Sequence, residues 1–206
     1  MKVSIQGIKG SFHHMVANEY FESFELLECS TFENLVKSID KEESDFGVMA
    51  IENSIAGSIL PNYALIDEYN LYITGEHYLN INHNLMCLAG QKIDEIYEVQ
   101  SHPMALLQCS KFFNNYPNIK LIESEDTALF AKKIKDEGIL GVAAIASKDA
   151  SEIYNLEILN ESIQTIKNNK TRFVILEKKK TNDEFNKAAV KFIPVSYTHL
   201  TLPPKA

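Results

Sequence analysis

Phe46-Gly47-Val48-Met49-Ala50-Ile51, running directly into Glu52-Asn53-Ser54-Ile55-Ala56-Gly57-Ser58, is the stretch on which the fold turns. The first half is an unbroken apolar run between Asp45 and Glu52, too short for a helix of its own and suited to a strand covered on both faces. The second half is a turn of small and polar residues at that strand's carboxyl end. In open α/β sheets ligands bind beyond the carboxyl ends of strands. The turn puts a carboxyl, an amide and two hydroxyls there, and Gly57 permits close backbone approach. The plainer reading is a helix N-terminus with Ser58 as its cap.

Outward from this stretch the same alternation continues. Upstream, residues 2–6 read as a strand, 11–21 as a helix, 24–28 as a strand, and Thr31 caps a helix to about 41. Downstream, 59–68 reads as a helix and 71–79 as extended. A second series begins at 84–89, with strands at 96–100, 119–122, 141–145 and 157–160. Its helices span 102–115, 126–137 and 147–154, with Pro103 in a first turn, Asp126 as an N-cap and Gly138 as a stop. Residues 171–176 form the last strand. Strands separated by helices imply an α/β fold with mainly parallel sheets. Two series imply two lobes with the ligand cleft between them.

The chain has 206 residues and a formal net charge of −8. Such a charge disfavours nucleic acid, whose binding depends on neutralising phosphates. It also gives no long-range attraction to an anionic substrate, so local groups must hold one. No apolar run approaches the ~18 residues of a membrane span, and the start lacks a signal-peptide pattern. Cys29, Cys87 and Cys109 show no metal spacing and read as buried thiols in a reducing compartment, so the expectation is cytoplasmic. Of the 20 basic residues only Arg172 is an arginine. Its planar fork suits a carboxylate. Composition leaves open whether it clamps a ligand or closes a structural ion pair.

Other junctions offer less. Ser101-His102-Pro103 is again strand to helix, where Ser101 either caps the helix or meets a ligand. Gln108 lies about two turns further, facing cleft or solvent. Gly7–Gly10 is a third junction of common spacing. His13 and His14 are adjacent and diverge on a helix. No histidine, cysteine and carboxylate set has zinc spacing, and Cys109 reads as core.

Taken in order, ENSIAGS at 52–58, SHPMALLQC at 101–109, GVAAIAS at 141–147 and TRF at 171–173 resemble the prephenate dehydratase family over residues 3 to about 176. The resemblance implies a fold similar to the type II periplasmic binding proteins: two α/β lobes, with the chain crossing over and returning. Lobe one would be 1–77 plus 168–180, and lobe two 78–167. It implies decarboxylating dehydration of prephenate to phenylpyruvate in phenylalanine biosynthesis, with no metal or organic cofactor. It assigns Thr171 to the leaving hydroxyl, with Asn53, Ser101 and Gln108 as further catalytic groups. A threonine hydroxyl is a poor acid, so its role would be a strong hydrogen bond to the departing oxygen. Arg172 would hold the pyruvyl carboxylate and Phe173 would pack on the ring. Glu52, Ser54, Gly57 and Ser58 would complete the substrate site, Glu52 orienting Asn53.

The chain departs from the family pattern at Gly7-Ile8-Lys9-Gly10-Ser11-Phe12-His13, which raises the expectation that Lys9 or His13 meets substrate, and at Ala56, where an acidic residue is common. Family members continue into an ACT domain that binds phenylalanine as feedback inhibitor, and 187–193 resembles the first strand of one. The expectation is therefore a linker and ACT remnant at 181–195, an adapter-derived tail at 196–206, and a homo-oligomer in the complete protein. Two rivals stand beside this reading. One is a dehydratase acting on arogenate. The other is a small-acid binding module on the same fold, which needs Arg172 but no donor at Thr171.

Overall fold

The computed structural model describes residues 1–124, 126–179 and 187. In chain order its elements are β1 (Lys2–Gln6), α1 (Phe12–Tyr20), β2 (Glu25–Cys29), α2 (Phe32–Asp40), β3 (Phe46–Asn53), β4 (Gly57–Ser58), α3 (Leu60–Glu68), β5 (Tyr72–Asn80), β6 (Asn84–Cys87), β7 (Glu98–Ser101), α4 (Pro103–Phe113), β8 (Lys120–Glu123), α5 (Thr127–Glu137), β9 (Val142–Ala146), α6 (Lys148–Tyr154), β10 (Glu157–Asn160) and β11 (Lys170–Glu177). The expected ACT-like strand and tail lie outside the described residues, Lys187 apart. None of the helices among the described residues is long and apolar enough to cross a membrane.

The strands form two sheets, one ordered β2-β1-β3-β11-β5 with β4 on β3, the other β10-β6-β9-β7-β8. The apolar run at 46–51 is the reason β3 sits centrally: alternate side chains are buried on both faces. Val48 and Ala50 pack with Val16 and Ala17 of α1, and with Phe173 and Ile175. Met49 and Ile51 pack on the other face with Leu35 and Ile39 of α2, Ile66 of α3, and Val174. In the second sheet Leu85, Val99 and Ile145 pack against Leu106 and Cys109 of α4. Met86 and Ala144 pack against Phe130 and Ile134 of α5 on the opposite face.

The expectation of mainly parallel sheets is corrected. β1 is parallel to β2 and β3, and β7 to β8 and β9. β11 is antiparallel to both β3 and β5, and β6 to both β9 and β10. The reason is topological. β6 and β11 follow the two crossings between sheets and enter from the cleft. The other long strands end there.

Helix starts follow the sequence closely. Asp126 accepts from the Ala128 and Leu129 amides at 2.7 and 3.0 Å. Thr31 and Ser147 cap α2 and α6. Gly138 ends α5 in the left-handed conformation. Two expected caps are corrected: α3 starts from Ile59 with no side-chain cap, and His102 rather than Ser101 caps α4.

The lobes touch where the loop after β1 meets α6. Ser147 Oγ donates to the Gly10 carbonyl and Tyr154 OH to the Lys9 carbonyl, each at 2.6 Å. Gly10 has φ +86°, and a Cβ there would stand 3.0 Å from Ala150 Cα. Glycine is therefore required both by conformation and by contact.

Candidate active site

Between the sheets, where β3 ends and β11 begins, polar side chains from four segments join in one network. Asn53 closes β3, and its Oδ1 accepts from the Ile55 and Ala56 amides at 3.0 and 2.9 Å, an Asx turn of the kind that asparagine favours. Its Nδ2 donates to Thr171 Oγ1 at 2.9 Å and to Asn169 Oδ1 at 2.7 Å. Asn169 Nδ2 donates to Gln108 Oε1 at 2.9 Å, and His83 Nε2 meets the same oxygen at 2.9 Å. Ser54 ties the turn to the incoming strand: its hydroxyl accepts from the Lys170 amide at 2.9 Å and its amide donates to the Lys170 carbonyl at 2.8 Å.

The direction of every bond in this chain follows from one end. Backbone amides only donate, so Asn53 Oδ1 is the acceptor and Nδ2 the donor. Asn169 must then present oxygen to Asn53 and nitrogen to Gln108, so Gln108 presents oxygen. His83 Nε2 must carry hydrogen. At the other branch Thr171 Oγ1 is an acceptor toward Asn53, which leaves its own hydrogen for another partner. A hydroxyl that already accepts a hydrogen bond is polarised as a donor. Thr171 is 8% exposed, so that donor lies in a nearly dry environment, where a hydrogen bond to developing charge is stronger than in water.

Thr171, Asn53, Gln108 and Ser54 are thus brought together, and Asn169 and His83 join them unanticipated. Asn169 was legible by alternation, since residues two apart in an extended chain share a face. His83 had no local signal, because its place depends on where the chain crosses between sheets.

Arg172 is elsewhere. The register pairs Thr171 with Leu79 and Arg172 with Tyr78, so the two side chains leave opposite faces of the sheet. Arg172 Nε and Nη2 donate to Glu76 Oε2 at 2.9 and 2.8 Å, with Glu52 at 3.9 Å and the Tyr78 ring 5.9 Å below. Lys187 also pairs with Glu76. The Lys187 and Arg172 hydrogen bonds hold the Glu76 carboxyl below the usual carboxylate range. Glu52 therefore faces Arg172 rather than orienting Asn53. Gly57 and Ser58 are exposed and pair with Asn53 and Glu52 in the β3–β4 hairpin.

Three expected contacts are corrected by burial. Ser101 is 0% exposed and its hydroxyl donates to the Ile145 carbonyl at 2.7 Å. Phe173 is 1% exposed within the core, edge-on to His13. His13 turns inward, where Nε2 accepts from the Ala50 amide at 3.3 Å and burial lowers its pKa to about 3. Lys9 is exposed and its amide donates to Glu28. Burial also pushes the Cys87 and Cys109 thiols up, to about 11 and about 12.

Residues 3–181 match the family model described as prephenate dehydratase. The bifunctional chorismate mutase/prephenate dehydratase of Buchnera aphidicola subsp. Acyrthosiphon pisum is 38% identical over 179 residues, covering 85% of this chain and 46% of that protein. The chloroplastic arogenate dehydratase/prephenate dehydratase 1 of Arabidopsis thaliana is 40% identical over 176 residues, covering 85% and 45%. The chain thus spans about half the length of these curated relatives. Among solved structures, the prephenate dehydratase of Staphylococcus aureus Mu50 superposes with TM-score 0.76 at 25% identity, covering 89% of this chain and 69% of that one. GqqA, described as a novel type of quorum quenching acylase, superposes with TM-score 0.79 at 26% identity, covering 88% of this chain and 66% of that one.

Proposed function

The chain belongs to the prephenate dehydratase family, and on that footing we propose that it converts prephenate to phenylpyruvate, water and carbon dioxide. The carrying observation is the polarity of the network at Thr171. Its oxygen accepts from Asn53, so its hydrogen is available to the ring hydroxyl that leaves. In the reaction the bond to the ring carboxylate breaks, its electron pair enters the ring, and hydroxide departs and takes a proton to become water. Aromatisation drives this. The protein's task is to stabilise the departing oxygen and hold a dianion, and Thr171 performs the first part.

Gln108 contributes the second donor. Its oxygen is occupied by Asn169 and His83, while its amide nitrogen has no protein partner among the described residues. The start of α4 brings helix-dipole potential of the sign an anion needs. Arg172 enters this reading as the residue that pairs with Glu76 on β5 and stands beside Glu52 at the end of β3, not as the clamp the resemblance implies. Its Nε and Nη2 donate to Glu76 on the face away from Thr171. Lobe one is 1–81 with 168–179 and lobe two 82–167: the expected boundary after residue 77 moves because β5 runs to Asn80 in the first sheet and Leu79 and Ile81 pack in its core. Phenylalanine would inhibit only through an ACT domain, in a homo-oligomeric, cytoplasmic protein; the three buried free thiols support a reducing compartment.

The test is turnover by the purified 206-residue chain. Prephenate is incubated at pH 8, where its spontaneous acid-catalysed loss is slow, and phenylpyruvate is followed against an enzyme-free control. Arogenate is run in parallel. Phenylpyruvate formed faster than in the control is the expected result. Turnover of arogenate alone reassigns the substrate, and saturable binding without product from either acid supports the binding module.

A further inference from the structure

His83 lies on the first crossing between the sheets and is 4% exposed. Its backbone is held from both sides: its amide donates to Gln164 Oε1 at 2.9 Å, and the Ile163 amide donates to its carbonyl at 2.8 Å. The ring stands edge-on to Phe12 of α1, with centroids 5.6 Å apart. Its Nε2 gives its hydrogen to Gln108 Oε1 at 2.9 Å. Its Nδ1 is buried with no hydrogen-bond partner among the described residues. Buried polar atoms are nearly always satisfied, so such an exception requires an explanation.

We infer that His83 is a positioning residue for the reaction: with Asn169 it pins the Gln108 carboxamide oxygen, so that the amide nitrogen points out of the network toward the substrate. The network fixes the protonated nitrogen of the ring from a distance. The amides of Ile55 and Ala56 orient Asn53, Asn53 orients Asn169, Asn169 orients Gln108, and Gln108 then accepts only from an Nε2–H tautomer. The ring leaves Nδ1 unpaired while satisfying Gln108. Burial disfavours its charged form, which keeps it a neutral donor. Two convergent donors on one oxygen resist the amide flip that would turn oxygen toward an anionic ligand. Loss of one leaves Gln108 on a single bond from Asn169. Asn169 and Gln108 come from different lobes, so the oxygen that His83 pins is also the one through which this network joins them.

This rests on the proposed dehydratase reading, and the experiment separates the two. In the full chain, glutamine at position 83 can set an N–H near the place of Nε2, whereas asparagine reaches only as far as Nδ1. His83→Gln should keep kcat/KM within about threefold of the parent, and His83→Asn and His83→Leu should lose about 10- to 100-fold, the scale of misplacing a reacting group. In a Gln108→Ala background the same changes should cost less than about threefold more, because the group being positioned is already gone. Inactivity of the parent chain would refute the dehydratase reading. An active parent would leave that reading standing and put only His83 on trial. The inference fails if folded His83→Leu matches the parent, if His83→Asn is as active as His83→Gln, or if the losses multiply in the Gln108→Ala background, as they would for a residue that only supports the fold. Should His83→Leu not fold, the comparison of the two amides decides.

Discussion

Asn53 on β3 and Thr171 on β11 are register partners in neighbouring antiparallel strands, and the Asn53 amide nitrogen donates to the Thr171 hydroxyl at 2.9 Å. This bond orients the threonine as a donor. Thr171→Ala should lower kcat by about 100-fold or more with KM changed little, in the range seen when one donor to developing negative charge is removed. Thr171→Ser should keep much of the activity. Steady-state kinetics on prephenate decide. Loss confined to KM would assign Thr171 to binding.

Asn53→Asp tests the polarity of the network. The new side chain still accepts from the Ile55 and Ala56 amides, but it no longer donates to Asn169 and Thr171. Thr171 would then turn its hydrogen onto the carboxylate. Activity should fall about as far as in Thr171→Ala, and stability by about 1–3 kcal/mol from unsatisfied partners. Normal turnover at pH 8 would mean that bond direction is irrelevant.

Arg172 and Glu76 are partly exposed, so their coupling in a double-mutant cycle should be only about 0.5–1 kcal/mol after solvent screening. Arg172→Lys should shift urea midpoints slightly and KM less than about threefold. A KM rise of tenfold or more with unchanged stability would restore the carboxylate clamp.

His13 supplies a pH prediction. Its folded pKa is depressed by burial to about 3, from an ordinary 6.5. The unfolded chain therefore binds the extra proton first as pH falls, and the stability contributed above about pH 6.5 is lost progressively toward pH 3. His13→Gln, measured by urea unfolding at pH 7 and pH 5, should show a smaller difference between the two conditions than the parent. An equal difference would place the acid sensitivity elsewhere.

Gly10→Ala tests the contact between lobes. The left-handed backbone costs a side chain about 1–2 kcal/mol, and the added Cβ meets Ala150. Urea unfolding should show at least that loss. An unchanged midpoint would mean the loop leaves α6 freely.

The strands and helices are written in the residues themselves, because strand and helix signals are local. The apolar run at 46–51 became the central strand, and Asp126, Gly138, Thr31 and Ser147 mark helix ends where expected. The residues also locate the turn at Asn53 and the segment at Thr171, since polar groups at strand ends are readable from adjacent residues. Which of them meet is set by the folded arrangement. Thr171 and Arg172 are neighbours in the chain, yet pleating sends them to opposite faces. Ser101 and Phe173 look available in sequence and are buried, because packing between distant segments covers them. Asn169 and His83 enter the site because two crossings let Asn53, Asn169, Gln108 and His83 join in sequence, each hydrogen-bonded to the next. A hydrogen bond depends on distance and direction, and contacts of such sequence separation exist only once the chain has returned from the second sheet to the first.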